Sequence, residues 1–297
     1  MKYRRLGRSG TQVSEVILGS WLTFGSSVDE KATAACVKAA LDVGIQTFDT
    51  ADVYALGAAE RALGKALAGV PRKDVVLATK CFWPTGPGPN DKGLSRKHIV
   101  ESCHASLERL GTDRIDVALV HDPDDHEDLA LRLAFPTLVK LRDEGVVAAV
   151  GCGMNQSAML ERFVASVDLD CVLLAGRYSL LDRGGADELL PRCLDRGVGV
   201  ILGGVFNSGV LADPEARPTY DYAAAPDAVV DRARALRAVC DRHGVALPAA
   251  ALRFAMRHEA VTTVVVGARS AAEIVADVAF ASAPIAESLW SDLAALD

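Results

Sequence analysis

An acid and a phenol stand five positions apart in the stretch FDTADVY, residues 48–54. Asp49 follows an apolar run, and Tyr54 lies shortly before a segment of helical period. Further along the chain, Lys80 and His121 each follow another apolar run directly. A phenol, an amine, an imidazole and a carboxylate can together move a proton to or from a carbonyl oxygen. The four residues therefore suit a reaction in which hydride reaches a carbonyl carbon while its oxygen gains a proton.

Each of these side chains would have a separate part in such a reaction. A phenol has a reference pKa of about 10, and a nearby ammonium group lowers it. We therefore predict that Lys80, paired with Asp49, lowers the pKa of Tyr54, while His121 holds the substrate oxygen by a hydrogen bond. Taken singly, each residue has an ordinary explanation as a helix cap, a core residue or a solvated charge. Their occurrence at successive strand ends favours the functional interpretation.

Eight short apolar runs alternate with segments of helical period, and this pattern predicts the elements that position those residues. Because the runs are apolar throughout, both faces of each strand should be buried, as in a parallel sheet. Eight such βα units predict an α/β fold of the TIM-barrel type, as one domain over residues 1–297. Residues 3–14 should form an N-terminal hairpin that closes the bottom of the barrel, and SLWSDLAALD a C-terminal helix. The predicted strands are 16–19, 45–48, 74–79, 115–120, 146–151, 171–176, 198–203 and 262–267.

Composition excludes several other classes of protein. The net charge of −7 is spread along the chain, without the run of like charges that marks a nucleic-acid-binding arm. Seven cysteines without a CxxC pair favour neither a disulfide framework nor structural zinc, and indicate a cytoplasmic location. No apolar stretch is long enough to span a membrane. We expect no membrane or nucleic-acid partner, and the oligomeric state stays open.

The stretch HDPDDH, residues 121–126, raises the alternative of a metal site, because His and Asp at strand ends bind metals in barrel hydrolases. Such a site needs a second histidine from another strand end. His98, His104, His243 and His258 all lie within or beside predicted helices. We therefore expect no metal, and expect Asp124 or Asp125 to begin the next helix.

The combination of FDTADVY, GAAERALG, ATK and a strand-terminal histidine resembles the aldo-keto reductase superfamily. The resemblance covers the whole chain and implies that Asp49, Tyr54, Lys80 and His121 form the catalytic tetrad. The first 110 or so residues, including LGSWLTFG, are most similar to the branch related to potassium-channel β-subunits. The remainder, including VALVHDPDDH and LGGVFNSGVL, is similar to dehydrogenases that oxidise L-fucose, D-threo-aldoses or L-galactose at C1. Resemblance of the two parts to different branches would be expected of a natural intermediate between the branches or of a chimera.

The resemblance also implies a nicotinamide cofactor laid across the rim of the barrel. No GxGxxG motif follows a strand, so a Rossmann-type site is not supported. Near the nicotinamide, the positions that match the family are Ser20, Trp21, Asn155, Phe206, Ser208 and Gly209.

The adenosine end of the cofactor corresponds to GARSAAEIVAD, with Arg269, Ser270, Glu273 and Asp277. The carboxylate of Glu273 would repel a 2′-phosphate and accept a hydrogen bond from a free 2′-hydroxyl. The guanidinium group of Arg269 would instead attract a 2′-phosphate. The pattern favours NAD, with NADP tolerated. Alternatively, Glu273 and Arg269 are solvated groups on the last barrel helix.

The predicted substrate pocket is lined by Trp21, Phe82 and Trp83, together with the loop 206–226. Its aromatic faces suit a sugar ring or an aryl aldehyde. The predicted function is an NAD(P)-dependent oxidoreductase that oxidises aldoses at C1 to lactones. One alternative is an NADPH-dependent aldehyde or ketone reductase. A redox-sensing β-subunit-like binding protein and a weakly active chimeric scaffold are the others.

Overall fold

The computed structural model describes residues 1–81, 95–216 and 218–296. Within these ranges, eight parallel strands close into a barrel in which each strand pairs with the next along the chain, and the last pairs with the first. The predicted TIM barrel is confirmed. The barrel strands are β3 (Val16–Gly19), β4 (Thr47–Asp49), β5 (Val76–Cys81), β6 (Ile115–His121), β7 (Val147–Met154), β8 (Cys171–Ala175), β9 (Gly199–Gly203) and β12 (Val261–Gly267).

Several strands extend past the apolar run that predicted them. Asp49 pairs with Ala78 of β5, and His121 pairs with Gly153 of β7, so both belong to the sheet. Lys80 likewise lies within β5. These polar residues are therefore members of rigid strands, and the barrel itself sets their positions.

Helices follow the strands and cover the outside of the barrel. They are α1 (Glu30–Asp42), α2 (Ala58–Ala66), α3 (Arg96–Leu110), the short α4 (Glu127–Leu129), α5 (Phe135–Asp143), α6 (Ser157–Ser166), α7 (Leu189–Arg196), α8 (Asp227–Arg242), α9 (Leu247–Ala255), α10 (Ala271–Ala281) and α11 (Glu287–Ala294). Side-chain caps begin several of them, with Asp29 before α1, Ser95 before α3 and Ser270 before α10, each accepting a backbone N–H.

The chain between β6 and α5 is less regular than predicted. A 3-10 turn over Asp124–His126 precedes α4, and a π-helical segment over Ala130–Ala134 joins α4 to α5. Asp124 thus begins the turn that leads into the helix.

The N-terminal strands β1 (Tyr3–Arg5) and β2 (Gln12–Ser14) form the predicted antiparallel hairpin. Leu6 and Val13 are fully buried and pack with residues that fill the barrel, including Ile17, Val117 and Leu119. At the other end of the chain, α11 packs through Leu289 and Leu293 into a second apolar cluster with residues of α8 and α9. No helix in the described ranges is long and apolar enough to cross a membrane.

Candidate active site

A buried ion pair lies at the C-terminal end of two neighbouring barrel strands. Lys80 Nζ donates to Asp49 Oδ2 at 2.7 Å, to Asp49 Oδ1 at 3.0 Å and to the carbonyl oxygen of Thr50 at 2.8 Å. Asp49 pairs with Ala78, and Lys80 lies two residues further on the same face of β5. The strand register therefore brings the ammonium and the carboxylate together.

Burial and ion pairing shift the pKa of Lys80 in opposite directions. Burial lowers the pKa of its ammonium group, but the Asp49 carboxylate and the other interactions of the ammonium raise the pKa by more, so the net shift is upward. Lys80 is consequently positively charged at neutral pH, in a region that excludes most solvent.

Tyr54 lies beside this pair, as the first residue of a 3-10 turn that follows β4. Its ring centre is 4.7 Å from Lys80 Nζ. Burial raises the pKa of the phenol to about 12, while the ammonium of Lys80 lowers it by less. The lowering that we predicted from Lys80 is present, but desolvation of the phenolate outweighs it. At neutral pH, Tyr54 is therefore a protonated phenol.

His121 completes the group as the last residue of β6. Its ring centre is 5.7 Å from that of Tyr54, and the two rings meet nearly edge to face. Burial, followed by the charge of Lys80, lowers the pKa of His121 to about 3. The imidazole is therefore uncharged at neutral pH, and its Nδ1 has no hydrogen-bond partner among the described residues. The structure thus brings together the four residues predicted from separate strand ends.

A buried polar cluster behind these residues is absent from the sequence-based prediction. Glu60 of α2 accepts hydrogen bonds from Thr79 Oγ1 at 2.6 Å and from Arg109 Nε at 2.5 Å. Asp52 accepts one from Ser102 Oγ of α3 at 2.9 Å. The bonds of Glu60 tie α2 to β5 and α3, and the bond of Asp52 ties the segment just before Tyr54 to α3. One feature of the sequence could have revealed this cluster. In GAAERALG the glutamate lies on the same helix face as alanines and a leucine that are buried, which indicates a buried carboxylate.

Aromatic rings form the wall next to Tyr54. The Trp21 ring lies 4.7 Å from Tyr54 and 6.0 Å from Tyr222, measured between ring centres. Trp21 remains 42% exposed, so part of its side chain is accessible to a ligand. Tyr222 lies in the long loop after β9, which the sequence predicts beside the pocket, but the sequence does not show which of the loop's two tyrosines reaches the site. Phe82 and Trp83, predicted for the same pocket, lie outside the described residues.

Tyr222 is held by a small hairpin of β10 (Thr219–Tyr220) and β11 (Ala223–Ala224). At its turn, Asp221 makes two 3.0 Å contacts with Arg177. The backbone N–H of Tyr222 donates to Ser208 Oγ at 3.0 Å. The predicted cofactor contact Ser208 is therefore also the anchor of the hairpin.

The other residues predicted near the nicotinamide all follow barrel strands. Ser20 is buried directly after β3, and Asn155 is partly buried directly after β7. Phe206 is partly buried and precedes the 3-10 turn Asn207–Gly209, which contains Gly209. All of these residues lie at the tetrad end of the barrel.

Strained backbone gathers at the same end. Within the described ranges, every non-glycine residue with a positive φ lies in a loop after a barrel strand. Such conformations persist where the surrounding structure enforces them, and they concentrate at functional sites. The residues are Leu22, Ala55, Leu56, Asp122, Asn207, Ser208, Asp221 and Tyr222.

Buried polar atoms without a partner also occur at this end of the barrel. Buried polar groups normally find partners. A polar ligand across the rim would supply them, so these residues fit a nicotinamide cofactor. The atoms that have no hydrogen-bond partner among the described residues here are Ser20 Oγ, Thr23 Oγ1, Thr50 Oγ1, His121 Nδ1 and Asn207 Oδ1.

The residues predicted for the adenosine end surround the start of α10. Ser270 Oγ accepts from Glu273 N at 3.3 Å, and Glu273 Oε2 accepts from Arg269 N at 2.8 Å. These two bonds resemble a capping box. Glu273 therefore stabilises the helix start while its carboxylate stays exposed. Unlike the exposed Glu273, Asp277 is only 8% exposed. Burial raises the pKa of Asp277 to about 7.

In the described part of the chain, no group of three or more His, Cys, Asp or Glu side chains could hold a metal ion. The seven cysteines are all buried and unpaired.

The fold and the site define an oxidoreductase that acts on carbonyl and alcohol groups. The chain belongs to the aldo/keto reductase family, whose model matches residues 15–297. The predicted family is confirmed.

Individual relatives agree with this assignment. A D-threo-aldose 1-dehydrogenase from a Pseudomonas species is 39% identical over 294 residues, covering 91% of this chain and 89% of its own. A pyridoxal 4-dehydrogenase from Microbacterium luteolum is 34% identical, covering 98% and 96%. A probable voltage-gated potassium channel subunit beta from Arabidopsis thaliana is 33% identical, covering 92% and 89%. Each relative therefore matches most of the chain and not one part of it.

A solved structure is also similar over the whole chain. The holo form of an aldo-keto reductase from Bacillus halodurans aligns with a TM-score of 0.83 at 29% identity, covering 100% of this chain and 96% of its own.

Proposed function

We propose that this protein oxidises aldoses at C1 to lactones, with NAD(P) as the hydride acceptor and Tyr54 as the proton-transfer group. The observation that carries the proposal is the meeting of Tyr54, the Asp49–Lys80 ion pair and neutral His121 at one end of the barrel. The similarity to a D-threo-aldose 1-dehydrogenase supports an aldose as the substrate.

The residues divide the proton transfer among them. His121 holds the C1 oxygen of the sugar, and the O–H proton of the anomeric hydroxyl passes to the Tyr54 oxygen as a C=O double bond forms. Lys80 stabilises the phenolate form that accepts this proton, and Asp49 keeps Lys80 charged and in place. A nicotinamide held near Ser20, Trp21 and Asn155 would supply the hydride acceptor for the C1–H bond. The products are a lactone, the reduced cofactor and a proton released to solvent.

NAD is the favoured cofactor under this proposal. The exposed carboxylate of Glu273 stands at the start of α10, where it would oppose the 2′-phosphate of NADP. Unpaired cysteines fit a reducing compartment, which supports a cytoplasmic location.

A second candidate is the reduction of aldehydes by NADPH. The observation that favours it is the protonated phenol, because a pKa of about 12 makes Tyr54 a proton donor at neutral pH. The exposed side chain of Arg269 near the start of α10 would suit a 2′-phosphate.

The test follows the absorbance of the reduced nicotinamide. Purified protein is offered NAD or NADP with L-fucose, D-arabinose or L-galactose, and NADPH with an aryl aldehyde in parallel. Sugar-dependent reduction of the cofactor is the expected result. Oxidation of NADPH by the aldehyde, with no response to any sugar, would favour the second candidate.

A matched pair of variants tests the role of Tyr54. Tyr54→Phe should lose about 100-fold or more of turnover while still binding the cofactor. Tyr3→Phe is the control, since Tyr3 is exposed and its hydroxyl only donates to the carbonyl oxygen of Gly44. Equal turnover in both variants would contradict the assignment.

A further inference from the structure

Asp122 follows His121 directly and has an unusual backbone conformation. Its φ is +41°, in the left-handed region that few residues other than glycine adopt. Its N–H donates to the carbonyl oxygen of Gly153 at 2.9 Å, which holds this conformation at the end of β6. Strain of this kind at the mouth of a site points to a functional demand on the side chain.

The carboxylate of Asp122 lies among the residues of the site. Its Oδ2 is 3.6 Å from His121 Nε2, too long for a hydrogen bond. Its charge also acts on Tyr222, and the charge of Lys80 acts on it. Asp122 thus lies beside the residue that would hold the substrate oxygen, and within electrostatic range of Tyr222 and Lys80.

Asp122 can accept a hydrogen bond from a ligand. Its side chain is 42% exposed, and it accepts no side-chain hydrogen bond from the described residues. Burial, and then the neighbouring Asp124, raise its pKa to about 6, so it is mainly a carboxylate at neutral pH. A carboxylate only accepts hydrogen bonds, and a hydroxyl group is the neutral donor that sugars offer in number.

We propose that Asp122 accepts a hydrogen bond from a substrate hydroxyl close to the reacting carbon, and so selects polyhydroxylated aldehydes and aldoses over plain aldehydes. The inference rests on the proposed function, because it names the feature of the aldose that the same site recognises. A site built to bond a substrate hydroxyl discriminates strongly against an analogue that lacks it, because its own polar group is then left unpaired.

The experiment compares two four-carbon aldehydes in the direction of reduction, with the same cofactor. D-Erythrose carries hydroxyl groups, and butanal carries none. The measured quantity is the ratio of kcat/KM for erythrose to kcat/KM for butanal. Two variants should preserve the backbone conformation at position 122, because asparagine and glycine both tolerate a positive φ. Asp122→Asn removes the charge, and Asp122→Gly removes the acceptor.

The ratio should fall about 10-fold in Asp122→Asn and up to about 100-fold in Asp122→Gly, as expected for a lost charge-assisted hydrogen bond. Asp125→Asn is the control, since Asp125 is exposed in the same loop and should leave the ratio unchanged. If both substrates lose the same factor, Asp122 acts through His121 and the proposal is overturned. A wild-type ratio near one would overturn it as well.

Failure of the proposed function would look different. In that case NAD and NADP would stay unreduced with every aldose, while the erythrose-to-butanal ratio still reports on Asp122. Should neither aldehyde be reduced, calorimetric titration of L-fucose into NADH-bound protein makes the comparison: weaker binding to Asp122→Gly supports the proposal, and equal binding contradicts it.

Discussion

Two opposing effects determine the protonation of Tyr54. Desolvation favours the phenol, and the ammonium of Lys80 favours the phenolate, so the two act in opposite directions on its pKa. Desolvation wins in this structure, and burial likewise keeps His121 neutral by lowering its pKa. The tetrad therefore holds the hydrogen-bonded Asp49–Lys80 pair, a neutral imidazole and one dissociable phenol proton.

The raised pKa of Tyr54 predicts different pH profiles for reduction and for oxidation. Reduction needs the protonated phenol, so kcat/KM should stay level as the pH rises toward about 10. Oxidation needs the phenolate, so kcat/KM should keep rising over the same range, by up to about tenfold per pH unit. Rates from about pH 6 to 10 check this. An oxidation rate that levels off near neutral pH would contradict it, and would mean that the ammonium dominates in the working complex.

Replacing Lys80 by Met should destabilise the fold as well as stop catalysis. The carboxylate of Asp49 would be left buried and unpaired, which costs roughly 3–5 kcal/mol. In the double variant Asp49→Asn/Lys80→Met no charge remains, so much of this loss should be recovered. Urea unfolding measures both free energies. A double variant no more stable than Lys80→Met would show that the ion pair is not the source of the effect.

At the scale of elements, the start of α10 combines two functions in one short segment. Ser270 and Glu273 cap the helix through hydrogen bonds to backbone N–H groups. The exposed charge of Glu273 is, in our proposal, what opposes a 2′-phosphate. A suitable substitution can separate these functions, because glutamine also completes a capping box.

Glu273→Gln should keep the stability of the protein within about 0.5 kcal/mol and strengthen NADP binding, leaving NAD binding unchanged. Ser270→Ala should cost about 1 kcal/mol through loss of the cap. Cofactor titration followed by tryptophan fluorescence measures the affinities, and urea unfolding measures the stabilities. Unchanged NADP affinity in Glu273→Gln would remove Glu273 from the explanation of cofactor choice.

At the scale of the whole molecule, the two ends of the barrel serve different purposes. The N-terminal hairpin closes one end with buried apolar side chains. The other end carries the tetrad, the strained loops and a group of unpartnered polar atoms. This separation lets the hairpin be altered without touching the site.

Leu6→Ala should destabilise the protein by roughly 2–5 kcal/mol, because it opens a cavity at the closed end of the barrel. Its kcat should match the wild type at temperatures where it stays folded. Leu194→Ala is the control, since Leu194 is 39% exposed on α7 and should cost little. Thermal unfolding and kcat are measured together. A large fall in kcat for folded Leu6→Ala would show that the two ends are coupled.

The sequence by itself determined the barrel and the approach of the strand-end residues. Apolar runs with a regular spacing specify buried parallel strands, because this signal is local and repeats along the closed barrel. In a barrel the C-terminal strand ends share one rim, so Asp49, Lys80 and His121 had to approach one another once the fold was known.

Only the tertiary structure decided the protonation of these residues and the identity of their neighbours. The pKa of Tyr54 depends on how completely other elements bury it, and no local pattern reports that quantity. Tyr222 and Glu60 reach the site through a distant hairpin and through packing of α2 on β5. The side chain of Asp122 is placed by a single left-handed φ. These features arise from contacts between residues far apart in sequence, which the period and spacing of a chain do not encode.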